Sequence, residues 1–230
     1  MSSAARDQVL VEARDVSKRF ASQNEETAAL AHVTFSVRHR DRTALVGPSG
    51  SGKSSLLHLL AGLDTPTTGT LDWPALGPPG GLRPGRVSLM TQSPSLIGWL
   101  TVAENVALPL QLLRRPNLTV AKLTETTLAQ FDLDALAGKL PEQISGGEAQ
   151  RVSLVRATIT NPKLLLADEP TGQLDHATAQ RLIDLLLTWT ERTGAAVVLA
   201  THDRDVADRL DHVFTMSHGH MGNESGEGAL

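Results

Sequence analysis

Residues Gly47 to Ser54 read GPSGSGKS: a glycine, a four-residue gap, then Gly-Lys-Ser. Glycines let the chain curl so that several backbone N–H groups point inward at an anion. A helix that begins there adds its positive end. Lys53 places a charge on the terminal phosphates of a nucleotide, and the Ser54 hydroxyl is a ligand for Mg²⁺. A Gly/Ser-rich connector has a similar composition. The context decides between the two: an apolar strand, RTALVG, precedes the loop and an apolar helix, KSSLLHLLAG, follows it.

A second stretch, KLLLADEP, supplies acids. A buried strand ending in Asp168-Glu169 points both carboxylates at the crevice where parallel α/β sheets bind ligands. Asp168 suits Mg²⁺, through a water, because that ion prefers oxygen ligands and keeps several waters. Glu169 is then free to orient an attacking water or take its proton. Gln92 follows RVSLMT and His202 follows VVLAT, so each also ends an apolar strand. Either alone is an ordinary strand-end residue. Beside the phosphate loop and the paired acids, they become contacts to Mg²⁺, water or a γ-phosphate.

The third stretch is ISGGEAQRVSLVRA, Ile144 to Ala157. Ser145 and Glu148 are spaced as a capping box ahead of an apolar run. That accounts for the serine and the glutamate and leaves Gly146 and Gly147 unexplained. A helix start with bare glycines is also an anion site, with free N–H groups and no Cβ to block approach. Both roles are compatible.

These residues need a scaffold. VTFSV alternates apolar and polar residues as a half-buried strand does. RTALVG, RVSLMTQ, KLLLAD, AAVVLATHD and HVFTM read as further strands. Strand, glycine turn and helix in succession open a parallel α/β unit. Pro74 to Arg86 is dense in Pro and Gly and reads as a surface loop. Thr101 to Phe131 has a helical pattern broken at RRPN, which makes an inserted helical lobe. A long helix is expected over roughly 175–192, and GNESGEGAL reads as a frayed tail. The chain has 230 residues, enough for one large domain. Aromatic residues make up only 3%, so the core must be aliphatic. A net charge of −4 without a long basic run argues against nucleic acid as a partner. With no cysteine, disulfides and thiolate metal sites are excluded. The start, MSSAARDQ, lacks the layout of a signal peptide. The most apolar runs are too short to cross a bilayer. His212, His218 and His220 sit in polar surroundings that suit a solvated tail better than a metal site.

Taken together, the motifs resemble those of the nucleotide-binding subunit of an ATP-binding cassette (ABC) transporter. ISGGEAQRVSLVRA resembles that family's signature motif. GPSGSGKSS, LLLADEPTGQLD and THD resemble its P-loop, its Walker B with D-loop, and its switch histidine, in the same order. The resemblance spans roughly residues 9–216. It implies an α/β P-loop NTPase fold: a RecA-like mixed sheet with an antiparallel β subdomain and an inserted helical subdomain. One ABC ATPase domain would fill 1–230, with the helical insert at about 93–160 and a flexible tail at about 218–230. ATP and Mg²⁺ are the implied cofactors. Nucleotide contacts would come from Gly47, Pro48, Ser49, Gly50, Ser51, Gly52, Lys53, Ser54, Ser55, Gln92 and Asp168. Phe20, in SKRF, matches the aromatic platform for the base; a core residue at a strand end is the other reading. Mg²⁺ would be held by Ser54, Gln92 and Asp168. The catalytic groups would be Glu169, His202, Gln92 and Lys53.

In that family two subunits pair head to tail. Each ATP lies between the P-loop of one and the signature loop of the other, here Ser145, Gly146, Gly147 and Glu148. The resemblance implies a second copy and an integral membrane permease as partners, at the cytoplasmic face of the cell membrane. SPSLIGWLTVAENVALPLQLL resembles the region that receives helices of the membrane subunit. Trp99 and Leu100 either line that groove or pack inside the helical lobe. GPSGSGKSSLLHLLAGLD and ADEPTGQLD look most like the subgroup serving lipoprotein release, macrolide export and cell-division signalling. Departures are the Pro74 to Arg86 loop, RHRDRTALVG without the usual Gly-Glu turn, and Gln173 where Asn is commoner. The competing function is a soluble ABC ATPase acting on DNA or ribosomes. Those usually carry a long coiled-coil insertion or two cassettes in one chain. A small-molecule kinase fits less well, because Asp168-Glu169 is suited to activating water.

Overall fold

A computed structural model describes residues 8–21 and 26–223. Its centre is a six-stranded sheet. The strands are β3 (Arg42–Val46), β5 (Val87–Met90), β6 (Leu164–Asp168), β7 (Ala196–Thr201), β8 (His212–Ser217) and β9 (His220–Asn223). Their order is β5-β6-β7-β3-β8-β9, parallel except for β9, which runs antiparallel to β8. β7 is buried along its whole length and β6 along all but its last residue. That burial on both faces is why LLLA and AVVLAT are unbroken apolar runs.

Three further strands form a separate antiparallel sheet: β1 (Val9–Ala21), β2 (Glu26–Arg38) and β4 (Thr68–Asp72), in the order β2-β1-β4. In β2 the buried Val33, Phe35 and Val37 alternate with exposed Thr34, Ser36 and Arg38, the period a sheet with one wet face requires. The inner face meets helix α1 (Lys53–Leu60) in one apolar cluster with Leu45, Val198 and Met216 of the large sheet. Phe35 and Phe214 join the two sheets edge to face, with ring centroids 5.3 Å apart.

Between β5 and β6 the chain builds α2 (Val102–Leu112), α3 (Asn117–Gln130) and α4 (Gly146–Thr158). Their apolar residues, among them Val106, Leu128 and Val152, share one cluster with Leu165 and Leu199 of the sheet. Helix α5 (His176–Thr193) contributes Ala179, Leu182, Ile183, Leu186 and Trp189. Their spacing of three and four residues makes the single apolar stripe of an amphipathic helix. The short α6 (Arg204–Ala207) follows β7.

Two expectations need correction. The tail does not start at residue 218: His220–Asn223 form β9, paired with β8 through Met216 and Met221. Residues 224–230 lie outside the described residues. The Pro74–Arg86 segment is more than a surface loop. Leu76 and Leu82 are fully buried, and the Arg86 guanidinium donates to the Leu76 carbonyl. Burial of each leucine contributes about 1.5–3 kcal/mol, so apolar anchors hold the Pro/Gly stretch down.

Candidate active site

The parallel strands β3, β5, β6 and β7 deliver Gly47, Gln92, Glu169 and His202 just beyond their carboxyl ends. In an open parallel sheet that edge is where ligands sit. β3 lies beside β7, and β7 beside β6, so the three loops are neighbours by register.

The turn from Gly47 to Lys53 is held by its own backbone. Gly52 caps α1 with φ +104, a conformation glycine adopts without steric cost, and a Cβ there would run into the Ala29 carbonyl oxygen. No side chain caps α1, so the N–H groups of its first turn are free to meet an anion. Lys53 is almost completely buried, at 6% exposure. Its ammonium donates to the carbonyls of Gly47 (2.7 Å) and Pro48 (3.2 Å) and lies 3.3 Å from Glu169 Oε1.

Glu169 is the hub. Its other oxygen, Oε2, is 2.7 Å from His202 Nδ1. An ionised carboxylate only accepts, so Nδ1 carries the proton. Glu169 has φ 47, a left-handed backbone that costs a non-glycine residue about 1–3 kcal/mol. Its N–H, bonded to the Ala200 carbonyl at 2.9 Å, and its carbonyl, which accepts from Gly172 at 3.1 Å, hold that conformation in place.

Two polar atoms beside this hub are buried without a hydrogen-bond partner, Ser51 Oγ and Asp168 Oδ1. An unsatisfied buried group costs about 1–3 kcal/mol unless a ligand or water completes it. The expected Mg²⁺ ligands Asp168, Ser54 and Gln92 would offer only oxygen donors, the chemistry that ion prefers. The Gln92 amide reaches the 169–172 turn, with Nε2 3.7 Å from where a Cβ on Gly172 would sit.

Phe20 is not a core residue. Its ring is 48% exposed, with the Lys18 ammonium 5.1 Å from the ring centroid. The β1–β2 register sets Phe20 opposite Thr27, two positions from Ala29, whose carbonyl abuts Gly52. This end of the β1–β2 ladder therefore lies near the P-loop. Trp99 is 82% exposed, which removes the reading that packs it inside the helical lobe.

The signature stretch forms the expected capping box. Ser145 Oγ accepts from the Glu148 N–H at 3.3 Å, and Glu148 Oε2 accepts from the Ser145 N–H at 2.8 Å. Donation to the carboxylate by the Ser145 N–H first, and then by the Ser145 hydroxyl at 2.8 Å, holds the Glu148 carboxyl below its usual range. Ser145 and Gly146 are exposed, and among the described residues a Cβ on Gly146 would meet nothing within 4 Å beyond its chain neighbours and its own helix backbone. The P-loop and the signature loop thus begin two helices in opposite ways, one without a side-chain cap and beside Glu169, the other closed by its own capping box.

Sequence reasoning assigned no role to Gln150, Asn105 or Arg156. Gln150 is buried in α4 and donates to the carbonyls of Pro170 (2.8 Å) and Gln92 (3.3 Å). Asn105 and Arg156 bind the 94–101 loop through its backbone. A buried amide within an apolar helical stripe is the signal that marks Gln150 and Asn105.

Fold and site define a P-loop ATPase. Residues 30–172 match the ABC transporter family. The chain is 36% identical to the lipoprotein-releasing system ATP-binding protein LolD of Hydrogenovibrio crunogenus, over 93% of this chain and 96% of that one. It is 41% identical to the methionine import ATP-binding protein MetN of Caulobacter vibrioides, over 92% of this chain and 65% of that one. The post-hydrolysis dimer of the ATP-binding cassette MJ0796, bound to ADP and Pi, superposes with a TM-score of 0.84 at 31% identity, covering 95% of this chain and all of that one. This chain belongs to the ABC transporter family, as an ATP-binding, ATP-hydrolysing subunit close to the LolD branch.

Proposed function

We propose that this subunit hydrolyses ATP only when two copies enclose the nucleotide, and that the resulting closing and opening drives a membrane permease at the cytoplasmic face. The observation that carries the chemistry is the placement of Glu169 between Lys53 and His202. Phe20 stacks on the base, and the N–H groups of the Gly47–Ser55 turn hold the phosphates. Lys53 exchanges its carbonyl partners for phosphate oxygens. Glu169 orients a water and takes its proton as that water attacks the γ-phosphorus and the bond to ADP breaks. His202 holds the Glu169 carboxylate through Nδ1 and so orients it toward the water. Ser54, Gln92 and Asp168 would hold Mg²⁺, which supplies charge stabilisation on the phosphates when bound.

Pairing completes the site. The exposed Ser145 hydroxyl and the open face of Gly146 meet the γ-phosphate of the other copy's ATP, and the 93–160 segment is the lobe that carries them. The dimeric MJ0796 cassette supports this arrangement. A permease partner is consistent with two features. No helix among the described residues is long and apolar enough to cross a membrane, and Trp99 presents an uncovered aromatic ring beside the Gln92 loop. No finding favours the alternative of a soluble ATPase acting on DNA or ribosomes.

Glu169→Gln tests the scheme. It keeps size and polarity and removes the base, so turnover should fall by roughly 10²–10⁴-fold. In ATP and Mg²⁺ the variant should sediment as a dimer. A monomer in ATP with full turnover would overturn the proposal.

A further inference from the structure

Gly146 and Gly147 are adjacent, yet the structure gives them different reasons to be glycine. Around Gly146 there is space. A Cβ on Gly147 would lie 2.9 Å from Thr178 Cγ2 and 3.9 Å from Leu174 Cδ2. Ordinary carbon contacts are about 3.5–4.0 Å, so one partner would have to move by more than half an ångström.

Thr178 is held in place, and α4 is held beyond its first turn. Thr178 is tied to Asp175, the N-cap of α5: its hydroxyl donates to Asp175 Oδ2 at 2.6 Å and its N–H to Oδ1 at 3.0 Å. The Thr178 methyl is thereby aimed at Gly147. On the other side α4 is anchored by Gln150 to the Pro170 carbonyl and by Arg156 to the carbonyls of Pro94 and Ser95. A clash at Gly147 would be absorbed by the exposed start of α4, where Ser145 and Gly146 lie.

We infer that Thr178 is a positioning residue for the signature loop: its methyl leaves no room for a side chain at 147 without displacing Gly146 and Ser145, so this chain's own Thr178, not the approaching nucleotide, requires glycine there. The inference rests on the two-copy reading above. It also gives that reading an internal link. Glu169 serves one nucleotide, while the turn that follows it ends at Asp175, holds Thr178, and so bears on the loop that serves the other.

The test is a rescue, read in the Glu169→Gln background for ATP-driven dimerisation and in the otherwise unaltered chain for turnover. Gly147→Ala should bind ATP as tightly as the parent, because the P-loop is on another helix. It should lose about 10- to 100-fold in turnover, the scale of a sub-ångström to one-ångström misplacement. Thr178→Ser keeps the hydroxyl bonded to Asp175 and removes only the methyl. Alone it should be close to the parent. Combined with Gly147→Ala it should restore dimerisation and turnover to within about 3-fold, a residual effect of well under 1.4 kcal/mol. If the double variant is no better than Gly147→Ala, the space is needed by something outside the chain and the inference fails. It also fails if Gly147→Ala behaves as the parent. A Glu169→Gln chain that does not dimerise in ATP would instead defeat the two-copy reading, independently of the rescue.

Discussion

The two glycine-containing loops at helix starts differ in what surrounds them. The Gly47–Lys53 turn exposes Pro48 to Gly50 but buries Ser51 and Lys53; Glu169 stands against Lys53 and is bonded in turn to His202, and α1 has no side-chain cap to compete for its N–H groups. The Ser145–Glu148 turn is finished as a helix cap and unfinished as a site. Its box is closed, and among the described residues no atom beyond its chain neighbours and its own helix backbone would lie within 4 Å of a Cβ on Gly146. A loop that needs nothing for its own stability, yet keeps an open glycine face, is built to meet a group from outside. The P-loop end brings catalytic groups together; the signature end offers one surface.

The difference can be broken by paired substitutions. Lys53→Ala should abolish tight ATP binding and lower turnover by roughly 10²–10⁴-fold, since it removes the charge that faces the phosphates. Gly146→Leu should leave ATP binding to the isolated chain intact and reduce turnover by about 10²-fold or more by blocking approach. Its melting temperature should be unchanged or higher, because glycine within a helix costs roughly 0.5–1 kcal/mol relative to alanine. Equal losses of ATP binding in both variants, by equilibrium titration, would erase the distinction.

The smallest effect concerns the cap itself. Glu148 is depressed below its usual range in the folded chain, so its ionised form contributes stability at neutral pH. That contribution is full above the ordinary glutamate value and is lost as pH falls through the lowered one. The stability gap between the parent and Glu148→Gln should be widest near neutrality and close in acid. Thermal melts across pH measure it, and a pH-independent gap would mean the charge is not used.

How much of this was legible in the sequence follows from burial. β6 and β7 are apolar on both faces, so LLLAD and AVVLAT announce themselves, and the polar residues that end them mark the site edge. β1 does not. Its pairing with β2 shifts register at several points and Asp15 takes φ 52, so its alternation is interrupted. β4 is short, mostly exposed and contains a glycine, and β9 reads as polar tail because only pairing with β8 makes it a strand. The candidate catalytic residues were readable because each falls in a motif or at the end of an apolar strand. Gln150 and Thr178 were not. Their partners, the Pro170 and Gln92 carbonyls for Gln150 and the Gly147 position for Thr178, are tertiary neighbours that no local pattern names.

The central claim is that one chain holds half of each working site. Turnover measured together with molecular mass over a dilution series in ATP and Mg²⁺ tests it most directly. At low concentration the rate per chain should rise in proportion to chain concentration and level off as dimers dominate. A constant rate per chain at dilutions where every molecule is monomeric would contradict it.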